Sequence, residues 1–232
     1  MPVDSILRGL KRFRKKVYPK HRELFHKLAL QQRPTALFIT CADSRIDPCL
    51  LTQTKPGELF LCRVIGNIVP QFPELVGGVS ATIEYAVGVL GVTDVIVCGH
   101  TDCGVMKGVL NPDALKPLAT VSAWLSHAEA AREAVAGQRE SLSESAFLLA
   151  LTERNVVEQL RNLHTHPAVA ARLEQQNLKL HGWVYDIAKG TVTKYSSRRD
   201  KFVRIRSVKP QKIKVREGVP GTAKKLISRR QT

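Results

Sequence analysis

Two short stretches carry the residues able to do chemistry: Cys41-Ala42-Asp43-Ser44-Arg45 and His100-Thr101-Asp102-Cys103-Gly104. Each follows directly on an apolar run, Ala36-Leu37-Phe38-Ile39-Thr40 in the first case and Asp94-Val95-Ile96-Val97-Cys98-Gly99 in the second. The runs are too short for helices and rich in β-branched residues, so they read as buried strands whose carboxyl ends present polar side chains. That edge of an open parallel sheet is where sites form. If the two strands are neighbours, Cys41, His100 and Cys103 converge as two thiolates and one imidazole. Such a set suits zinc (Zn2+), and three protein ligands leave a fourth position for water, as a catalytic rather than a structural site requires. Asp43 and Arg45, two residues apart on the Cys41 loop, can pair bidentately and fix a carboxylate beside the metal. Taken singly, these residues read as buried cysteines, a turn histidine and a surface ion pair. Their combination at two strand ends is what points to a metal centre.

The elements that must position them follow from the apolar spacing. Ile6, Leu10, Phe13 and Val17 share one helical face over residues 3–17, with Lys and Arg on the other. A basic amphipathic helix can lie on a membrane surface or act as a targeting segment, but this one reads as an arm packed on its own or a partner subunit, since Asp4 and the continuation into a second helix argue against a cleaved presequence. The second helix, over about residues 20–31, buries Leu24, Phe25 and Leu28 and stops before Pro34. Beyond the Cys41 loop come a helical turn over 48–53, a turn at Pro56-Gly57 and a strand over 58–64. Gly66 to Gly78 reads as an irregular loop of a length that is usually functional. A helix with Val79, Ile83, Val87 and Leu90 on one face then leads into the His100 strand. After Cys103, helical patterns start near Val105 and cover 118–135 and 143–163, and His164-Thr165-His166-Pro167 interrupts them. A helix over 168–176 precedes strands over 180–187 and 191–196, which Lys189-Gly190 joins as a hairpin. The expected fold class is α/β, a mainly parallel sheet flanked by helices, with an N-terminal helical arm and a C-terminal antiparallel hairpin. The expected units are an arm over 1–34, the α/β domain with the zinc site over 35–200, and a basic, poorly ordered tail over 201–232.

Composition narrows the function classes. A chain of 232 residues, 44% hydrophobic, buries a full core in one domain without disulfide or metal staples. Its net charge of +16 is uneven: from Arg198 onward 13 Lys and Arg face Asp200 and Glu217, so this end alone holds +11. The body is only mildly basic, and the tail reads either as a binder of nucleic acid or another polyanion or as a solubilising extension. Five cysteines, an odd number, and the lack of an apolar leader lead to the expectation of a reducing compartment, the cytoplasm. No run is long enough for a membrane span. Neither a dinucleotide fingerprint nor a phosphate loop is present, which sets nucleotide chemistry aside. Cys49, Cys62 and Cys98 read as small core residues, and His164 and His166 as partly exposed histidines at a helix end rather than a metal pair.

Together with Pro56-Gly57-Glu58-Leu59-Phe60 and Gly66-Asn67-Ile68-Val69-Pro70, the two metal motifs resemble those of the β-class carbonic anhydrases, in their plant-like and bacterial branch, over about residues 5–200. The resemblance implies a lyase, a carbonate dehydratase that reversibly hydrates carbon dioxide to bicarbonate by a zinc-bound hydroxide. It implies Cys41, His100 and Cys103 as metal ligands and Asp43 with Arg45 as the dyad that orients the nucleophile. It further implies a substrate pocket in which Gln32 comes from a neighbouring subunit and Phe60, Ile65 and Tyr85 line an apolar slot, hence a homodimer or higher homo-oligomer. Phe38 stands where the bicarbonate-sensitive branch has Trp, so Asp43 is expected off the metal, although the sequence also permits the closed form if Arg45 releases Asp43 at lower pH. Val64 departs from the family's usual Arg-Asn-x-x-Asn and removes an amide from the pocket loop, whereas Thr101 for the commoner Ser keeps a hydroxyl. Two further readings stay open: hydrolysis of carbon disulfide or carbonyl sulfide at the same site, and a zinc-stabilised scaffold that binds an anionic partner through its tail.

Overall fold

Every residue of Ala36–Thr40 (β1) is buried, as is all of Asp94–His100 (β3) after its first residue. Strands buried on both faces require a sheet covered from both sides. The computed structural model describes residues 2–74 and 76–205. Within them a six-stranded sheet runs in the order β2-β1-β3-β4-β5-β6, where β2 is Leu59–Arg63, β4 Lys179–Asp186, β5 Thr191–Ser196 and β6 Lys201–Arg204. The first four in this order are mutually parallel, and β5 and β6 are antiparallel additions at one side. The helices used below are α1 (Pro2–Arg12), α2 (Arg22–Leu30), α3 (Pro48–Thr52), α4 (Gly78–Glu84), α5 (Gly104–Leu110), α6 (Ala119–Leu125), α7 (Glu129–Val135), α8 (Glu144–Leu163) and α9 (Pro167–Glu174). The mainly parallel α/β architecture with its arm and hairpin is as the sequence predicts, with one strand more.

That strand corrects the boundary at residue 201. Lys201–Arg204 pairs with β5, the Tyr195 and Phe202 rings lie 5.6 Å apart, and Phe202 packs against the main core. The basic segment from 206 onward, to which most of the polyanion reading attaches, lies outside the described residues.

β1 lies between β2 and β3, so the chain leaves β1 to one side and returns past it to the other. Thr40 stands level with Arg63 on β2 and with Cys98 on β3. Three strand ends therefore deliver the loops after residues 40, 63 and 100 to one edge, at the switch point of the sheet. Alternation along the strands splits the core. Leu37, Ile39, Val95 and Val97 pack with Val156 and Leu163 of α8, Ile83 of α4 and Val169 of α9, while Phe38, Ile96 and Cys98 form a separate cluster with Leu51 and Trp183. Val156 reaches the sheet because adjacent strands place glycine beneath it: a Cβ on Gly99 or Gly182 would meet its methyl groups at 2.9 or 2.8 Å.

α8 also carries a polar stripe. Asn155, Gln159 and Asn162, spaced i, i+4, i+7, are all buried. Asn155 Nδ2 donates to the Gly66 carbonyl (3.0 Å), the Val69 N–H donates to Gln159 Oε1 (2.7 Å), and Asn162 Nδ2 donates to the Val69 carbonyl (2.8 Å). Gln159 Nε2 donates to Asn155 Oδ1 at 2.9 Å, so the stripe is continuous. Buried irregular backbone needs such partners, and here one helix supplies them. His166 extends the series by donating from Nε2 to the Pro70 carbonyl at 3.1 Å. It is therefore buried, against the expectation of a partly exposed helix end, whereas His164 is exposed.

The arm differs from expectation in its burial. A wide turn over Phe13–Val17 and a tight one over Tyr18–His21, which contains Pro19, interrupt the helix between α1 and α2. Leu24, Phe25 and Leu28 are only half-buried, because the arm folds mainly on itself: the Phe25 ring sits 5.8 Å from Phe13 and 5.5 Å from Tyr18. Ile6, Leu7, Leu10 and Phe13 remain exposed.

Gly182→Ala is expected to destabilise the fold by about 1–3 kcal/mol, the range for overpacking a filled core, seen as a lower urea midpoint. His166 supplies a pH signature. Burial holds its imidazole below the ordinary value, so the unfolded chain takes up a proton that the folded one refuses. The stability is fully present above about pH 6.5 and is lost as pH falls below that value. In a His166→Gln variant the fall in midpoint on acidification from about pH 7 to about pH 5.5 should be shallower than in the parent; an equally steep fall would contradict this.

Candidate metal centre

β1 runs straight into Cys41, β3 ends on His100, and Cys103 follows at the start of α5. Because β1 and β3 pair in register, the ligand atoms of Cys41, His100 and Cys103 all lie within 4.8 Å of one another, and all three residues are buried. It is the one such group among the described residues. Cys41 and Cys103 belong at the same time to an apolar cluster with Ile68, Met106 and Leu151, which ties the site to α5 and α8.

Local geometry aims each group. The Gly66 N–H donates to Cys41 Sγ at 3.4 Å. Gly66 has a φ of +69°, and a Cβ there would meet Val105 Cγ1 at 2.9 Å, so glycine is what lets this loop approach the sulfur. His100 Nδ1 donates to the Thr101 carbonyl at 3.0 Å. That bond leaves Nε2 as the bare nitrogen, buried and with no hydrogen-bond partner among the described residues. Thr101 is tied to the sheet in turn: its N–H donates to the Tyr185 carbonyl (2.9 Å) and its hydroxyl accepts from the Ile187 N–H (3.1 Å).

These features fit a cation. An unpartnered buried imidazole nitrogen is costly unless something electrophilic meets its lone pair. The thiols give the same answer. A hydrogen bond from Cys103 draws Cys41 well below the usual thiol range, while that bond and burial push Cys103 well above it. The pocket accepts one thiolate readily and resists a second until positive charge is added. Cys62 and Cys98, by contrast, are pushed up to about 11 and about 12 by burial alone or burial foremost, as core residues should be.

Asp43 and Arg45 pair as expected. Arg45 Nε and Nη2 donate to the two carboxylate oxygens of Asp43 at 3.0 and 2.8 Å, and the Arg45 N–H adds a bond at 2.9 Å. These bonds hold the carboxyl well below its usual range. Asp43 Oδ2 lies 3.8 Å from His100 Nε2, yet the carboxylate is not part of the metal-ligating trio. Arg45 also donates from Nη1 to Asp102 Oδ2 (3.1 Å) and from Nη2 to the Asp102 carbonyl (3.0 Å). Arg63, at the end of β2, donates to the Asp43 carbonyl at 2.6 Å and, more weakly, to the Cys41 carbonyl at 3.3 Å.

The remaining residues named from the sequence are less concentrated. Phe60 and Tyr85 place their rings 5.9 Å apart, with Tyr85 nearly half exposed. Ile65 precedes the glycine that touches Cys41, and its carbonyl accepts from Trp124 Nε1 at 3.1 Å. Gln32 is exposed between α2 and β1 and makes no hydrogen bond among the described residues. Val64 packs into the main core, and its loop is held by the α8 amides rather than by an amide of its own. With Arg63 it lines an open cleft of about 530 Å³. Sequence reasoning passed over Asp102, although it lies inside a motif. It also passed over Arg63, Trp124 and Asn155, whose roles depend on contacts between distant segments and leave no local signal.

Two thiols, an imidazole and an arginine-held aspartate at the switch point of a parallel sheet define an enzyme-like metal pocket. The sequence profile of the family described as "Carbonic anhydrase" matches residues 36–192. A carbonic anhydrase of Pseudomonas aeruginosa is 49% identical over 95% of this chain and 99% of its own, and one of Synechococcus elongatus is 43% identical over 84% and 72%. Among solved structures, the β-carbonic anhydrase CcaA superposes with a TM-score of 0.86 at 40% identity, covering 88% of this chain and 100% of its own. A structure described under two tetrameric β-carbonic anhydrases from Sordaria macrospora gives 0.76 at 26%, covering 83% and 96%. The chain belongs to the carbonic anhydrase family of lyases, in its β-class.

Because Arg63 braces the carbonyls of the ligand loop, Arg63→Met is expected to weaken Zn2+ affinity about tenfold, measured by competition with a chromophoric chelator. An unchanged affinity would remove Arg63 from the site's support.

Proposed function

We propose that the chain reversibly hydrates carbon dioxide to bicarbonate with a zinc ion held by Cys41, His100 and Cys103. The observation that carries this reading is the convergence of two buried thiols and a bare imidazole nitrogen beside an ionised, arginine-held Asp43. Zinc so held supplies the Lewis acidity that brings the ionisation of water near neutral pH. Asp43 accepts a hydrogen bond from the attacking water through a carboxylate oxygen and turns the lone pair of that water toward the substrate carbon. Arg45 keeps the carboxylate charged and fixed, so Asp43 orients the water instead of taking its proton, which leaves to buffer. Phe60, Ile65 and Tyr85 line a slot whose apolar walls suit an uncharged substrate without donors. Gln32 is assigned to the site of a second subunit, where its amide donates to a substrate oxygen.

A homodimer or larger assembly follows from that assignment. It is supported by the exposed apolar side of α1, which a second copy can cover, and by a structural relative described as tetrameric. No helix among the described residues is long and apolar enough to cross a membrane. The described cysteines are unpaired, which suits the reducing cytoplasm.

Metal content and stopped-flow hydration measured on one preparation test the reading. About one zinc per chain and rapid hydration are expected, with both lost in Cys103→Ser. Asp43→Asn should keep the zinc and lose about 10- to 100-fold in kcat/KM. A zinc-loaded protein that hydrates no faster than buffer would overturn the assignment, and a fully active monomer would remove Gln32 from it.

A further inference from the structure

The Arg45 guanidinium is gripped along two edges. Its Nε and one Nη2 proton face Asp43, and its Nη1 and other Nη2 proton face the carboxylate and carbonyl of Asp102. Asp43 and Arg45 sit on the loop after β1 and Asp102 on the loop after β3, so one side chain spans both loops that carry metal ligands. Asp102 reaches it through a left-handed backbone, φ +56°, a conformation that Asp and Asn adopt more readily than other side chains. The second carboxylate oxygen of Asp102 is taken by Lys107 of α5, which leaves Oδ2 directed at Arg45.

We propose that Asp102 is a positioning residue for the hydration reaction: by holding the outer edge of Arg45 it keeps the inner edge on Asp43, and so keeps the Asp43 carboxylate away from the metal ligands. The Arg45 side chain is 43% exposed, and with Asp43 as its only partner it is free to swing into water. The released Asp43 carboxylate stands 3.8 Å from His100 Nε2, close to where a cation is held, and is drawn toward it. Asp102 closes that route by making the guanidinium a bridge fixed at both ends. Lys107 acts on Asp102 rather than on the dyad. This inference rests on the zinc hydratase reading and adds to it a residue that touches neither substrate nor metal.

Asp102→Asn and Asp102→Gly both accept the left-handed backbone, so two variants test the idea should either fail to fold. With zinc content matched to the parent, kcat and kcat/KM are expected to fall together by about tenfold with KM unchanged. In the Co2+-substituted proteins the d–d absorption should change as a carboxylate oxygen enters the coordination shell. Asp113→Asn, which breaks the exposed Asp113–Lys116 pair on the surface, should change neither. Parent-like kcat in a folded variant, or a lowered kcat with a parent-like cobalt spectrum, would overturn the proposal. If the parent itself binds zinc and does not hydrate carbon dioxide, the functional reading fails instead. The cobalt spectra then decide alone whether Asp102 controls Asp43.

Discussion

Two sulfurs and an imidazole nitrogen within 4.8 Å of one another, all shut off from water, form an arrangement that resists itself. Each group is stabilised by charge or hydrogen bonding that burial removes, and the second thiolate is opposed by the first. The arrangement persists only because the surrounding chain leaves these groups nowhere else to go. Strand pairing fixes the level of β1 against β3, and with it the positions of Cys41 and His100. The apolar cluster around Met106 and Leu151 closes over the sulfurs from the helical side. A cation converts this opposition into attraction, which is why a stiff scaffold and a metal-ligating pocket belong together here.

Stiffness at the loops comes from buried amides. The segment from Gly66 to Pro70 has no sheet ladder, yet its Gly66, Val69 and Pro70 carbonyls and its Val69 N–H are met by Asn155, Gln159, Asn162 and His166. α8 can reach them because Gly99 and Gly182 let Val156 settle close to the sheet. Packing and polar satisfaction are thus coupled through one helix: what brings α8 down on the strands also brings its amides to the loop beside Cys41. Arg63 and Arg45 do for the Cys41 and His100 loops what the α8 amides do for the neighbouring one. They tie backbone and carboxylate groups from different strand ends into a single network. The loop beside Val64 takes its support from across the fold.

Much of this was legible in the residues themselves. The strands after which Cys41 and His100 appear, the helical stretches and the final hairpin follow from apolar periodicity and from Gly and Pro positions, which act over a few neighbouring residues. The convergence of Cys41, His100 and Cys103 and the Asp43–Arg45 pair were legible because their members stand within a few residues of one another or directly at strand ends. Tertiary structure alone decided which strands lie side by side, that Lys201–Arg204 joins the sheet, and that the arm stays largely exposed in a single chain. It also decided that Asp102, Arg63 and the amides of α8 support the site. The division has a physical cause: periodicity and turn chemistry are local, whereas a hydrogen bond between residues 66 and 155 depends on how closely a helix can approach a sheet, which is settled only when the whole core packs.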